Sequence, residues 1–171
     1  PLLHRINPKL ASVQALVLCP TRELSQQVKK QLFKFTKYTE KIFCEAVFGG
    51  AQIEGQIRAL SRPTHVLIAT PGRLIDLVKR KAIDLNNVRT IVLDEADEML
   101  SMGFKNELDE ILSFLASVES KWLFSATIPL EIKRIVDEHL SSGAHRIEIS
   151  GRNVVNKNII HQFVIADELE K

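Results

Sequence analysis

Apolar residues in this chain collect in short runs, with longer stretches of helical periodicity between them. The runs fall near Ala15 to Cys19, Phe43 to Phe48, His65 to Ala69, Thr90 to Leu93, Lys121 to Phe124 and Arg146 to Ile149, four to six residues each. That length suits strands, and Ile91 to Leu93 is apolar without alternation, as in a strand buried on both faces. Between the runs, Leu24, Val28, Leu32 and Phe35 recur at helical spacing. So do Leu74, Ile75, Leu77 and Val78, then Leu108, Ile111, Leu112 and Leu115, and finally Ile132, Ile135 and Val136. These stripes are expected to be core faces of helices. Strands alternating with helices predict an α/β fold, a doubly wound and mostly parallel sheet with right-handed crossovers.

Length and composition narrow this picture without changing it. A chain of 171 residues with 45% hydrophobic content fits one domain. No apolar run approaches the ~20 residues that span a bilayer, and Pro1-Leu2-Leu3-His4-Arg5 lacks the order of a signal peptide. A soluble intracellular protein is expected. Cys19 and Cys44 lie in predicted strands without metal-ligand spacing, which favours buried, reduced thiols. The five histidines are scattered and suggest neither catalysis nor metal binding. With 23 basic and 21 acidic residues the formal charge is only +2, so blanket attraction to a polyanion is not expected. Nucleic acid, if bound, would be held by a few placed Arg and Lys side chains and by backbone N–H groups at helix starts. The run Lys79-Arg80-Lys81 is a candidate basic patch, although a helix end that prefers cations explains it better.

Candidate chemistry concentrates where predicted strands end. Val92-Leu93-Asp94-Glu95-Ala96-Asp97 places three carboxylates in four positions directly after an apolar strand. In open α/β sheets ligands bind beyond the carboxyl ends of such strands. A hard cation such as Mg2+ takes one or two carboxylates together with water and phosphate oxygens, and a neighbouring carboxylate can activate an attacking water. Capping of the helix that starts near Asp97 explains an isolated acidic run as well. Three further strings follow three other apolar runs: Pro20-Thr21-Arg22-Glu23-Leu24, Thr70-Pro71-Gly72-Arg73 and Ser125-Ala126-Thr127, and Gly49-Gly50 falls between the first two.

These strings in this order resemble the DEAD-box family of ATP-dependent RNA helicases, over essentially the whole chain. The resemblance implies a RecA-like fold, with ATP and Mg2+ as cofactors and RNA, not read by base, as partner. It implies that Asp94 binds Mg2+ through water and that Glu95 activates the hydrolytic water. Asp97 would reach the Ser125-Ala126-Thr127 segment or a second domain, and Ser125 and Thr127 would transmit nucleotide state to the RNA side. Pro20, Thr21, Arg22, Gly49, Gly50, Thr70, Pro71, Gly72 and Arg73 match the segments that hold one RNA strand. Considered singly, Thr21 and Thr70 could be helix caps, Pro20 and Pro71 loop or first-turn residues, Arg73 an ion-pair partner and Asp97 an N-cap. A cytoplasmic protein is implied, with a nuclear setting left open.

No GxxxxGK[ST] string occurs in the 171 residues, although a nucleotide hydrolase of this kind needs a glycine-rich phosphate loop. In the family that loop and its strand precede the PTREL string, and a second RecA-like domain closes over ATP. Residues 1–150 are therefore expected to be a partial first domain without its first strand, leaving an apolar edge beside Trp122 to Phe124. Residues 151–171, including a strand-like Ile159 to Ala166, would lead toward the second domain. The expected function is a portion of an ATP-dependent RNA helicase, inactive by itself. The competing readings are a non-enzymatic RNA-binding or protein-docking module and a DNA-directed helicase of the same superfamily.

Overall fold

The structure is a computed structural model that describes residues 1–37, 41–115, 118–140 and 143–149. Among the described residues five strands form one sheet: β1 (Ala15–Leu18), β2 (Cys44–Val47), β3 (Val66–Ala69), β4 (Thr90–Leu93) and β5 (Ser120–Leu123), in the order β2-β3-β1-β4-β5. Every pairing is parallel. The described residues also form α1 (Arg22–Thr36), α2 (Ile53–Leu60), α3 (Pro71–Lys79), α4 (Ala96–Ser101), α5 (Lys105–Phe114) and α6 (Leu130–His139), after a 3-10 turn at Leu3–Arg5.

Successive residues of a strand point to opposite faces, and the core divides accordingly. Ala15, Val17, Val66, Ile68 and Ala46 pack with Ile6 and with the Leu24, Val28 and Leu32 stripe of α1 on one face. Leu16, Leu18, Leu67, Ala69, Ile91 and Leu93 face the other way, against Leu74 and Leu77 of α3, Met99 of α4, Leu108 and Ile111 of α5 and Ile132 and Ile135 of α6. Both faces are thus covered, as expected of a doubly wound sheet. α2 was not anticipated by any single stripe, yet Ile53, Ile57 and Leu60 seat it on the second cluster.

Three expectations are corrected. Phe35 is 66% exposed and is not a core residue. At 15 residues α1 is about 22 Å long, whereas a four-residue strand spans about 13 Å, so the helix outruns the sheet it covers. Arg146 to Ile149 is not a strand; Ile147 and Ile149 are 89% and 94% exposed, and Arg146 instead pairs with Glu148 at 2.8 Å. Cys44 is half-buried, while Cys19 is fully buried; burial first, and the nearby Asp94 carboxylate second, push the Cys19 thiol up to about 12. Ile159 to Ala166 lies outside the described residues.

At the end of α3, Lys79-Arg80-Lys81 is engaged within the protein. Arg80 donates to Asp76 at 2.7 Å, Lys79 lies 3.0 Å from Glu110, and Lys81 takes the left-handed conformation (φ 54°) common just past a helix end. β5 stands at an edge of the described sheet. There Phe124 is 54% exposed and the Arg5 guanidinium lies 5.9 Å from the Trp122 ring centroid.

Candidate functional site

The parallel registers bring five strand ends into one row. Val47 pairs with Ala69, Ala69 with Leu18, Leu18 with Leu93 and Leu93 with Leu123. Each candidate string begins within two residues of that row. Along the carboxyl edge the order is therefore Gly49-Gly50, Thr70-Pro71-Gly72-Arg73, Pro20-Thr21-Arg22, Asp94-Glu95-Ala96-Asp97 and Ser125-Ala126-Thr127. Strings scattered over about a hundred positions of sequence become neighbours because parallel strands, joined by crossovers, all end on the same side.

The acidic end of this edge is an open pocket of about 640 Å³ lined by Thr21, Asp94, Glu95, Asp97, Glu98, Phe124, Ser125 and Ala126. Asp94 leaves β4 anchored by its own N–H, which donates to the Leu18 carbonyl at 3.0 Å. Burial pushes its carboxyl above the usual carboxylate range, against a backbone N–H of Glu95 that favours the ionised form. Glu95 follows in the left-handed region, φ 50° and ψ 52°. A non-glycine residue there costs about 1–2 kcal/mol. The strain is held by flanking bonds: the Ala96 N–H donates to the Phe124 carbonyl and the Phe124 N–H to the Leu93 carbonyl, at 3.0 and 2.8 Å. The exposed Glu95 side chain is aimed from this turn into the open pocket.

Asp97 is not the N-cap of α4; Glu95 occupies that position. Asp97 lies in the first turn, and its Oδ2 accepts from the Thr127 N–H at 2.9 Å and the Thr127 hydroxyl at 2.8 Å. Partial burial raises the Asp97 carboxyl, but the hydroxyl and backbone N–H of Thr127, together with its own backbone N–H, hold it below its ordinary range. Ser125 also donates to the Thr127 carbonyl at 2.6 Å, closing a tight turn after β5. The acidic string and the Ser125-Ala126-Thr127 string are thus joined directly.

The other end of the edge is built around one loop. Thr21 caps α1 by accepting from the Leu24 N–H at 3.2 Å, and it also lines the acidic pocket, which places it between the two ends. Arg22 extends its guanidinium over the Phe48 ring, 5.1 Å from the centroid. Thr70 stands at the N-cap position of α3, yet its hydroxyl accepts from the Gly49 N–H at 3.3 Å and makes no cap bond to its own helix. Pro71 opens α3, where its missing N–H costs nothing. Arg73 donates from Nη2 to the Ala51 carbonyl at 3.0 Å and has no carboxylate partner among the described residues, so the geometry favours a loop contact over the ion pair. Gly50 takes φ 75°, a glycine conformation. Phe48, Ala51 and Gln56 shape this end and are absent from the sequence-based set. The Ile53, Ile57 and Leu60 spacing was the available signal for the helix that carries Gln56.

The donor set fits the group expected there. Asp94, Glu95 and Asp97 offer only hard oxygen ligands, in a pocket open enough to admit phosphate and water, which is the environment Mg2+ prefers.

Comparison with known proteins agrees with this geometry. The family model described as DEAD/DEAH box helicase matches residues 1–135. The DEAD-box ATP-dependent RNA helicase CshA of Streptococcus pneumoniae serotype 4 is 40% identical over all 171 residues, which cover 32% of that protein. CshA of Bacillus subtilis is also 40% identical, with 34% of its length covered. The chain spans about a third of the length of these curated relatives. Among solved structures, a DEAD box protein from the hyperthermophile Methanococcus jannaschii superposes with a TM-score of 0.77 at 35% identity, covering 83% of this chain and 38% of that one. The yeast DEAD-box splicing factor Prp28 gives 0.76 at 32% identity, covering 81% and 34%. The parallel sheet with helices on both faces is a RecA-like fold, and the chain belongs to the DEAD/DEAH box helicase family.

Proposed function

We propose that this chain is most of the first ATPase domain of an ATP-dependent RNA helicase, in which ATP hydrolysis at the acidic pocket is coupled to RNA held along the same sheet edge. The observation that carries the reading is the single row of strand ends, with carboxylates at one end and hydroxyls, glycines and arginines at the other.

Bound Mg2+ would offset negative charge on the phosphates, with Asp94 as the residue that holds it through water. Glu95 orients the attacking water and accepts its proton, a role suited to a carboxylate held out in an open pocket by a strained turn. Asp97 ties the hydrolytic end to Ser125 and Thr127, which carry nucleotide state to the RNA side. Pro20, Thr21, Arg22, Gly49, Gly50, Thr70, Pro71, Gly72 and Arg73 form the RNA side. Contacts there are to phosphate and ribose, so binding is salt-sensitive and indifferent to base sequence. The relatives are about three times as long as this chain, which leaves room for a phosphate loop and a second RecA-like domain beside this segment.

Purified 1–171 is accordingly expected to show no appreciable RNA-stimulated phosphate release, while a protein extended to include both missing parts hydrolyses ATP. Normal turnover by 1–171 would refute the requirement for them. If the coding sequence upstream contains no GxxxxGK[ST], the non-enzymatic RNA-binding or docking module replaces this proposal.

A further inference from the structure

The Phe48–Ala51 loop is gripped from four directions, and one of the grips comes from a residue outside every recognised string. Gln56, in the second turn of α2, accepts from the Phe48 N–H at 3.2 Å and donates to the Phe48 carbonyl at 3.0 Å. One side-chain amide thereby takes both backbone groups of the residue that follows β2, as a neighbouring strand would. Thr70 holds the next residue, Gly49, Arg73 holds the Ala51 carbonyl, and Arg22 lies on the Phe48 ring.

The opposite side of the loop is open. A Cβ built on Gly49 or on Gly50 would meet no heavy atom within 4 Å. Gly50 needs glycine for its positive φ, but nothing inside the protein requires glycine at 49. Close approach of an external ligand would. Thr70, one nitrogen of Arg73 and the Arg22 guanidinium engage this loop, so the loop gathers the RNA-facing strings into one surface.

We propose that Gln56 is a positioning residue for RNA: it sets the Phe48–Ala51 loop so that the open face of Gly49-Gly50 meets the sugar-phosphate backbone of a single strand, and Thr70 and Arg73 act through the same loop. This inference rests on the helicase reading. Gln56 itself faces the loop and touches no ligand. α2 is seated separately by Ile53, Ile57 and Leu60, so loss of the amide frees the loop without unseating the helix.

The test uses the natural protein that contains this segment and measures RNA-stimulated ATP hydrolysis with single-stranded RNA of several sequences. Gln56→Met, close in size and unable to form either bond, is expected to raise KM for RNA about tenfold, as two lost hydrogen bonds of ordinary strength predict. The kcat at saturating RNA and KM for ATP stay unchanged. Gln56→Glu, which still accepts from the Phe48 N–H, is expected to fall between Met and the natural residue. An unchanged KM for RNA in Gln56→Met overturns the assignment, and so does a parallel rise in KM for ATP, which marks a merely structural residue. Absence of RNA stimulation in the unsubstituted protein overturns the helicase reading and the positioning role with it, a result distinct from either of these.

Discussion

Replacing Gly72 by Ala should move stability and RNA affinity in opposite directions. Gly72 is the second residue of α3 and is exposed; its φ is not positive, and an added Cβ would meet no heavy atom within 4 Å. Folding alone therefore gives no reason for glycine at this position. Glycine in a helix is less stable than alanine by about 0.5–1 kcal/mol, chiefly because its unfolded chain is freer. For a chain of this size that corresponds to a rise of about 1–4 °C in Tm. RNA binding should respond the other way. The first N–H groups of α3 lack intrahelical partners and are natural phosphate donors, and a methyl group at 72 stands in the ligand's path. Weakening a charge-assisted hydrogen bond by about 1–2 kcal/mol lowers affinity about 5- to 30-fold. Thermal unfolding with and without RNA, together with titration of unrelated labelled strands at two salt concentrations, reads both effects. A raised Tm with unchanged RNA affinity would refute placement of RNA against this turn. A lowered Tm would refute the open space around Gly72.

Changing Ser125 and Thr127 together to Ala in the intact protein should reduce duplex unwinding more than ATP hydrolysis, because the Thr127 hydroxyl bond to Asp97 and the Ser125 bond across the turn are lost while the Thr127 N–H bond to Asp97, Asp94 and Glu95 remain. Equal loss of both activities, measured on one preparation, would place these hydroxyls in catalysis or folding. Acidification should destabilise the fold through His65, which is 1% exposed, stacks on Phe43 and accepts the Phe43 N–H at Nδ1. Burial lowers its folded pKa, so the unfolded chain takes up the proton first: stability is intact above about pH 6.5 and falls below it, by at most about 1.4 kcal/mol per pH unit until the folded form titrates. Denaturant midpoints between pH 7 and 5, compared with His65→Gln, isolate this contribution, and identical slopes would refute it.

Sequence patterning located β1, β3 and β4 most clearly because each is a compact run with both faces covered, and burial on both faces leaves little room for polar residues, whereas the edge strands β2 and β5 carry Glu45 and Lys121 and are only partly buried. It misjudged Arg146 to Ile149 for a physical reason. Alternation of Arg146, Ile147, Glu148 and Ile149 satisfies the local rule for a strand, yet a strand also needs a ladder partner, and among the described residues none is present. The candidate strings were legible because they sit where strands end. Their side-chain commitments were not. Thr70 reads locally as a cap, but its hydroxyl is drawn 21 positions back to Gly49, and Arg73 reaches 22 positions back to Ala51. Such bonds depend on β2 and β3 lying side by side, a non-local fact that spacing alone does not encode. Gln56 was hidden for the same reason: its partner is the Phe48 backbone, which has no side-chain signature.

In the proposed mechanism hydrolysis is carried by the carboxylates at the end of β4 while RNA is held separately along the same edge. Glu95→Gln in the intact protein tests it most directly, since the amide keeps the size of the side chain and removes the base. Binding of ATP and of single-stranded RNA should persist at near-natural affinity while RNA-stimulated phosphate release is lost. Retained turnover would show that Glu95 is not the base and would contradict the account.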